Sequence, residues 1–117
     1  KNKSMNKKRA LRDEEKIIIQ FLLSKLNVTD NAYNISDSVE EYEGSHMGSI
    51  NLNNPNADLF DRDLIQAEYT DADKIPVVLS LTVDKNNQLL DLDFWKSDFS
   101  RLVQYPKPEE LTFGEEV

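Results

Sequence analysis

Ile75-Pro76-Val77-Val78-Leu79-Ser80-Leu81-Thr82-Val83-Asp84-Lys85-Asn86-Asn87-Gln88-Leu89-Leu90-Asp91-Leu92-Asp93-Phe94-Trp95 is the stretch whose reading decides the fold. Ile75, Val77, Leu79, Leu81 and Val83 recur at every second position, with Ser80 and Thr82 between them. That period belongs to a strand, whose successive side chains face opposite sides of a sheet. Asp84 to Gln88 has the composition of a hairpin loop. Beyond it Leu90, Leu92 and Phe94 alternate with Asp91, Asp93 and Trp95. A connection this short makes the two strands antiparallel.

The period of two extends upstream. Ile65, Ala67 and Tyr69 alternate with Gln66, Glu68 and Thr70, and Gly48, Ile50 and Leu52 alternate with Met47, Ser49 and Asn51. Between those runs lies the turn-rich insert Asn53-Asn54-Pro55-Asn56. Before residue 46 the period is helical. Asp13 is placed to cap a helix over about 13–26, with Glu14 and Glu15 at the positive end of its dipole and Asn27 as its end. Ile18, Ile19, Leu22, Leu23 and Leu26 share one face, which Ile17 and Phe21 widen to well over half the girth. Such a helix needs cover on more than its sheet side. The cover is expected from residues 28–45 or from a second copy, so the chain is expected to be a monomer or a weak homodimer. Residues 28–45 read as an acidic loop with at most one helical turn near Ser36 to Tyr42.

The expected fold is α+β, an N-terminal helix packed on an antiparallel meander of four or more strands in chain order. Residues 1–12 read as a basic flexible arm, 13–106 as a single domain and 107–117 as a loose acidic tail. At 117 residues the chain has room for one core without staples, and having no Cys it has no disulfide or thiolate chemistry. Its formal charge is −8, but six of its bases precede Asp13. Residues 13–117 therefore carry eight bases against twenty-two acids, a charge of −14. Such a body repels nucleic acid and anionic membrane and favours a basic protein partner. The basic start followed by Ile17 to Leu23 imitates a secretory signal, but Asp13-Glu14-Glu15 breaks the junction and the apolar run is short. A cytoplasmic protein is expected, with Met5 as a candidate native start.

Chemistry is sparse. Asp91, Asp93 and Trp95 should share the sheet face opposite the core, with Glu68 and Gln66 on neighbouring strands. Carboxylates two apart on a strand stand roughly 6.5–7 Å from one another, a spacing that fits a glycosidase pair or a shared hard cation. An open sheet face, however, gives no pocket to raise one pKa. The same pattern also describes a solvated face on which a Lys stem partly covers Trp95. Asp71-Ala72-Asp73 and Asp58, Asp61 and Asp63 lack the calcium-loop pattern and read as acidic turns. His46, the single His, has no nucleophile or carboxylate fixed beside it by any motif and reads as a strand-edge residue. Phe94 and Phe99 read as core, and Gly48 as a bulge or a site of close packing under the helix. Trp95 is the expected contact residue, or else the side chain that closes the fold against the 28–45 loop.

Lys8-Arg9-Ala10-Leu11 leading into Glu14-Glu15, His46-Met47-Gly48-Ser49-Ile50, and Asp91-Leu92-Asp93-Phe94-Trp95-Lys96-Ser97-Asp98-Phe99-Ser100 together resemble a family of small uncharacterised bacterial proteins. The resemblance spans Lys8 to Pro106, with Lys74 where family members tend to have Gly. It implies a fold and no activity. In type such small acidic proteins are also similar to the immunity partners of bacterial toxins. The expected function is thus a non-enzymatic acidic module that binds a basic protein, such as a toxin, through Asp91, Asp93, Trp95 and Glu68, with no cofactor and no metal. The alternative is a small hydrolase-like or metal-binding domain using Asp91, Asp93 and Glu68.

Overall fold

A computed structural model describes residues 7–26, 33–42 and 47–114. The elements are β1 (Lys7–Ala10), α1 (Asp13–Ser24), β2 (Ser38–Glu41), β3 (Ile50–Asn51), β4 (Phe60–Thr70), β5 (Pro76–Asp84) and β6 (Leu89–Lys96). Short 3-10 turns cover Ala57–Leu59 and Pro108–Glu110. The strands form one six-stranded sheet in the order β1-β2-β3-β6-β5-β4, with every neighbouring pair antiparallel. The protein is α+β, with one helix on a sheet larger than a four-stranded meander.

The β4-β5-β6 part follows chain order, as the alternation predicts. The departure is at β3, which pairs with β6 rather than β4, matching Ile50 to Leu92 and Asn51 to Asp91. The Asn-rich insert makes that crossover possible. Asn54 Nδ2 donates to the Leu89 carbonyl at 2.8 Å and to Asp84 Oδ2 at 3.0 Å, tying the insert to the β5-β6 hairpin. Asp84 Oδ1 accepts the backbone N–H groups of Asn86 and Gln88, so one buried carboxylate organises both loops.

The expected acidic loop holds β2 instead, and the expected basic arm holds β1. Lys7, Lys8, Arg9 and Ala10 pair with Glu41, Glu40, Val39 and Ser38. Opposite charges facing across the ladder register the two strands, and Val39 is the single apolar residue β2 buries. With one buried apolar residue between them, neither strand shows a readable period.

Helix α1 buries Ile18, Ile19 and Leu22 against Val39, Ile50, Leu79, Leu81, Leu92 and Phe94 of the sheet. Arg12, not Asp13, takes the capping position, and Glu15 Oε1 reaches back to accept the Arg12 N–H at 2.8 Å. Phe21 finds its cover in the C-terminal segment. Its ring lies 6.3 Å from that of Phe113, with the Lys25 ammonium 4.9 Å above Phe21. The segment 107–114, expected to be loose, is thus docked. Leu111 is buried, and Glu68 and Thr112 exchange backbone hydrogen bonds of 2.8 and 2.9 Å at the edge of β4.

Gly48 adopts φ +102°, where L side chains are strained. A Cβ there would also sit 3.3 Å from Leu102 Cδ2 and 3.5 Å from Phe94 Cδ1. Close packing is therefore its role, against Phe94 and Leu102 rather than under the helix.

Candidate functional site

The face of the sheet turned away from α1 is built in rows by strand register. Trp95 on β6 stands beside Val78 on β5, which stands beside Glu68 on β4. Asp93 pairs with Ser80, and Ser80 with Gln66. Asp91 pairs with Asn51 on β3, followed by Glu40 on β2 and Lys8 on β1. Asp91, Asp93, Trp95, Glu68 and Gln66 therefore share one face, with Glu68 two strands from Trp95.

Their environments differ. Asp91 is half-buried, accepting a short hydrogen bond from the Tyr42 hydroxyl and one of 3.4 Å from Asn51 Nδ2. Burial pushes its carboxyl above the usual range against those two donors, and the nearby Asp93 charge adds to the rise. Burial and the same Asp91 contact raise the Tyr42 phenol. Asp93 is exposed and accepts from Ser49 Oγ at 2.6 Å, while the same hydroxyl accepts the Phe94 N–H at 2.8 Å. Ser49 thereby continues the β3-β6 seam past the end of the regular ladder. Glu68 is exposed. Asp91 and Asp93 thus have separate partners, and Glu68 lies two strands away. Among the described residues no group of three His, Cys, Asp or Glu side chains could hold a metal ion.

Trp95 is 51% exposed, and its ring meets that of Phe99 edge-on at 4.9 Å and 89°. Phe99 is itself 55% exposed, so its assignment to the core is corrected. Its backbone takes φ +64°, a conformation costly for a bulky residue. The turn is held by the Phe99 N–H donating to the Lys96 carbonyl at 2.9 Å and by Asp98 Oδ1 accepting from Ser100 N and Oγ at 3.0 and 2.6 Å. Phe99 is thereby set against Trp95 on the surface, although either ring alone is large enough to anchor a core.

Lys96 does not cover Trp95; it points to the opposite side. Its ammonium is buried and donates to Asp71 Oδ2 at 2.8 Å, Asp73 Oδ2 at 2.6 Å and the Arg101 carbonyl at 2.9 Å. Asp71 also accepts the Val103 and Gln104 N–H groups at 2.8 and 3.1 Å. Burial favours neutral Asp71, but Lys96 and the backbone donors outweigh it and hold the carboxyl below its usual range. The acidic turn Asp71-Ala72-Asp73 is thus the counterpart of Lys96, and together they lash residues 101–104 to the end of the sheet. A signal for this was available, because Lys96 continues the inward phase of Leu90, Leu92 and Phe94. His46 lies outside the described residues. No helix among the described residues is long and apolar enough to cross a membrane.

Residues 8–106 match the family model described as Domain of unknown function (DUF6984). No curated protein and no solved structure matches the chain.

Proposed function

We propose, for a chain that belongs to the DUF6984 family of domains of unknown function, a cytoplasmic, non-enzymatic module that docks a basic protein on the outer face of its sheet. The observation that carries this reading is the exposed Trp95–Phe99 pair, with Phe99 set on a left-handed turn and carboxylates beside both rings. Large rigid aromatics give contact area at low entropic cost, and backbone strain in a surface turn accompanies binding sites. Asp93, Asp98 and Glu68 supply a field that would draw a cationic partner to that anchor. Asp91 contributes less, being tied to Tyr42 and Asn51. An inhibitor or immunity protein that occludes a basic toxin is the form of module this chemistry fits.

The test is site-specific photocrosslinking in the native cell, with the crosslinker at residue 95 and, as control, at exposed residue 86, which lies on neither the Trp95 face nor the helix side. A basic protein captured from position 95 alone, and lost as salt rises, is the expected result. Equal capture from both positions, or none at 95, overturns the reading. With the partner in hand, Trp95→Ala should weaken the complex by about 2 kcal/mol, chiefly through faster dissociation. Asp93→Lys should instead slow association and flatten its salt dependence.

A further inference from the structure

On the helix-bearing side of the sheet, a groove of about 850 Å³ runs between β1, the first turns of α1 and residues 101–108. Lys7 and Arg9 reach it because they alternate with Lys8, which belongs to the outer face. Arg9 is pinned in its wall, with Nη2 2.8 Å from Glu15 Oε2 and Nε 2.5 Å from Glu41 Oε2. Tyr105 donates to Glu15 Oε2 at 3.0 Å and accepts from Arg12 Nη1 at 2.8 Å. This wall is preorganised, so a ligand would not bear the cost of ordering it.

The groove inverts the sign of the molecule. Five cationic side chains line it against the carboxylates of Glu14 and Glu41. Even with Glu15 counted behind Arg9, cations exceed carboxylates by two, in a chain whose net charge is −8. Lys7, Arg101 and Lys107 make no ion pair among the described residues. Ile17 and Val103 also face the groove, 48% and 58% exposed, two of the five large apolar side chains so exposed among the described residues. A lone inorganic anion would leave both apolar groups and most of the volume unused, and a basic segment would be repelled.

We propose that this groove binds an acidic peptide segment, its carboxylates taken by Lys7, Arg12, Arg101 and Lys107 and one apolar side chain seated between Ile17 and Val103. The site is separate from the Trp95 face, and either can fail without the other. Fluorescence anisotropy with a labelled peptide of two Glu on each side of one Leu tests it, against the same peptide with Ser for Leu and with Lys for Glu. The Glu-Leu peptide should bind, and weaken with salt. Arg101→Glu with Lys107→Glu should cost about tenfold in affinity or more. Val103→Ser should weaken the Leu peptide by about threefold or more while leaving the Ser peptide unchanged. Both changes lie at exposed positions, so an unaltered unfolding midpoint reports an intact fold. Absence of binding, equal binding of the Lys peptide, or full affinity in the double variant overturns the proposal. So does displacement by inorganic phosphate at matched concentration, which would mark a small-anion site. Sedimentation showing two copies paired through the groove would make a second chain the occupant and overturn it equally.

Discussion

At the scale of single residues, two positions depend on partners distant in sequence. Lys96 occupies an inward slot of β6 and would be intolerable there alone, since an isolated buried ammonium is far costlier than a paired one. Asp71 and Asp73 answer it, and the Arg101 carbonyl accepts a third hydrogen bond from the same ammonium. Gly48 is the second. Its positive φ and the nearness of Leu102 and Phe94 leave no room for a methyl group without a shift of packed side chains. Gly48→Ala is expected to destabilise the protein by about 2 kcal/mol, from backbone strain and overpacking together. Chemical denaturation checks it, and a loss under about 0.5 kcal/mol would show that the loop relaxes freely.

At the scale of elements, legibility followed how many side chains each element sends to the core. β5 and β6 send an alternating set, including Val77, Leu79, Leu81, Leu92 and Phe94, and their hairpin is plain from the residues. α1 is equally plain. β1 and β2 bury one apolar residue between them and are held by facing charges instead, which composition alone presents as a basic arm and an acidic loop. The β3-β6 pairing was hidden because strand order depends on the path of the Asn-rich insert, and periodicity carries no information on which edge a strand joins. The face bearing Asp91, Asp93, Trp95 and Glu68 followed directly from the alternation, whereas Phe99 beside Trp95 did not, since a left-handed Phe contradicts residue preference. The helix predicted its own need for cover but not the source, because Leu111 and Phe113 stand in a stretch rich in Pro and Glu. Phe113→Ala should accordingly cost about 1–2 kcal/mol and quench the difference between full-length and tail-truncated protein, being half-buried against Phe21. Equal unfolding midpoints for the variant and the parent would mean that the Phe21–Phe113 contact adds nothing to the fold.

Over the whole molecule, the carboxylates that folding displaces from their ordinary range divide into two classes that oppose each other in pH. Burial raises Glu15, yet the Arg9 guanidinium and the Arg12 N–H prevail and hold it low; Asp71 is held low in the same manner by Lys96. Arg9 lowers Glu41, and Asn54 with the Gln88 N–H lowers Asp84. Each of these groups binds fewer protons folded than unfolded just below the ordinary carboxylate range of about 4. Their stabilisation is therefore complete above that range and is lost as pH falls through their folded values. Asp91 runs the other way. Its folded carboxyl is raised by burial, so the folded state holds the extra proton, and stability declines as pH climbs from the unfolded value to the folded one. The net charge of −8 adds self-repulsion on the same side, which salt screens. Denaturant titrations in high salt should therefore show stability falling steeply below about pH 4 and declining gently above it, with a maximum on the mildly acidic side. Asp91→Asn keeps an acceptor for Tyr42 but cannot ionise, so it should flatten the gentle limb and leave the steep one in place. A wild-type curve that is flat or rising from about pH 4 to neutrality, or a variant that retains the gentle limb, would show that the Tyr42–Asp91 pair is more hydrated than its burial implies.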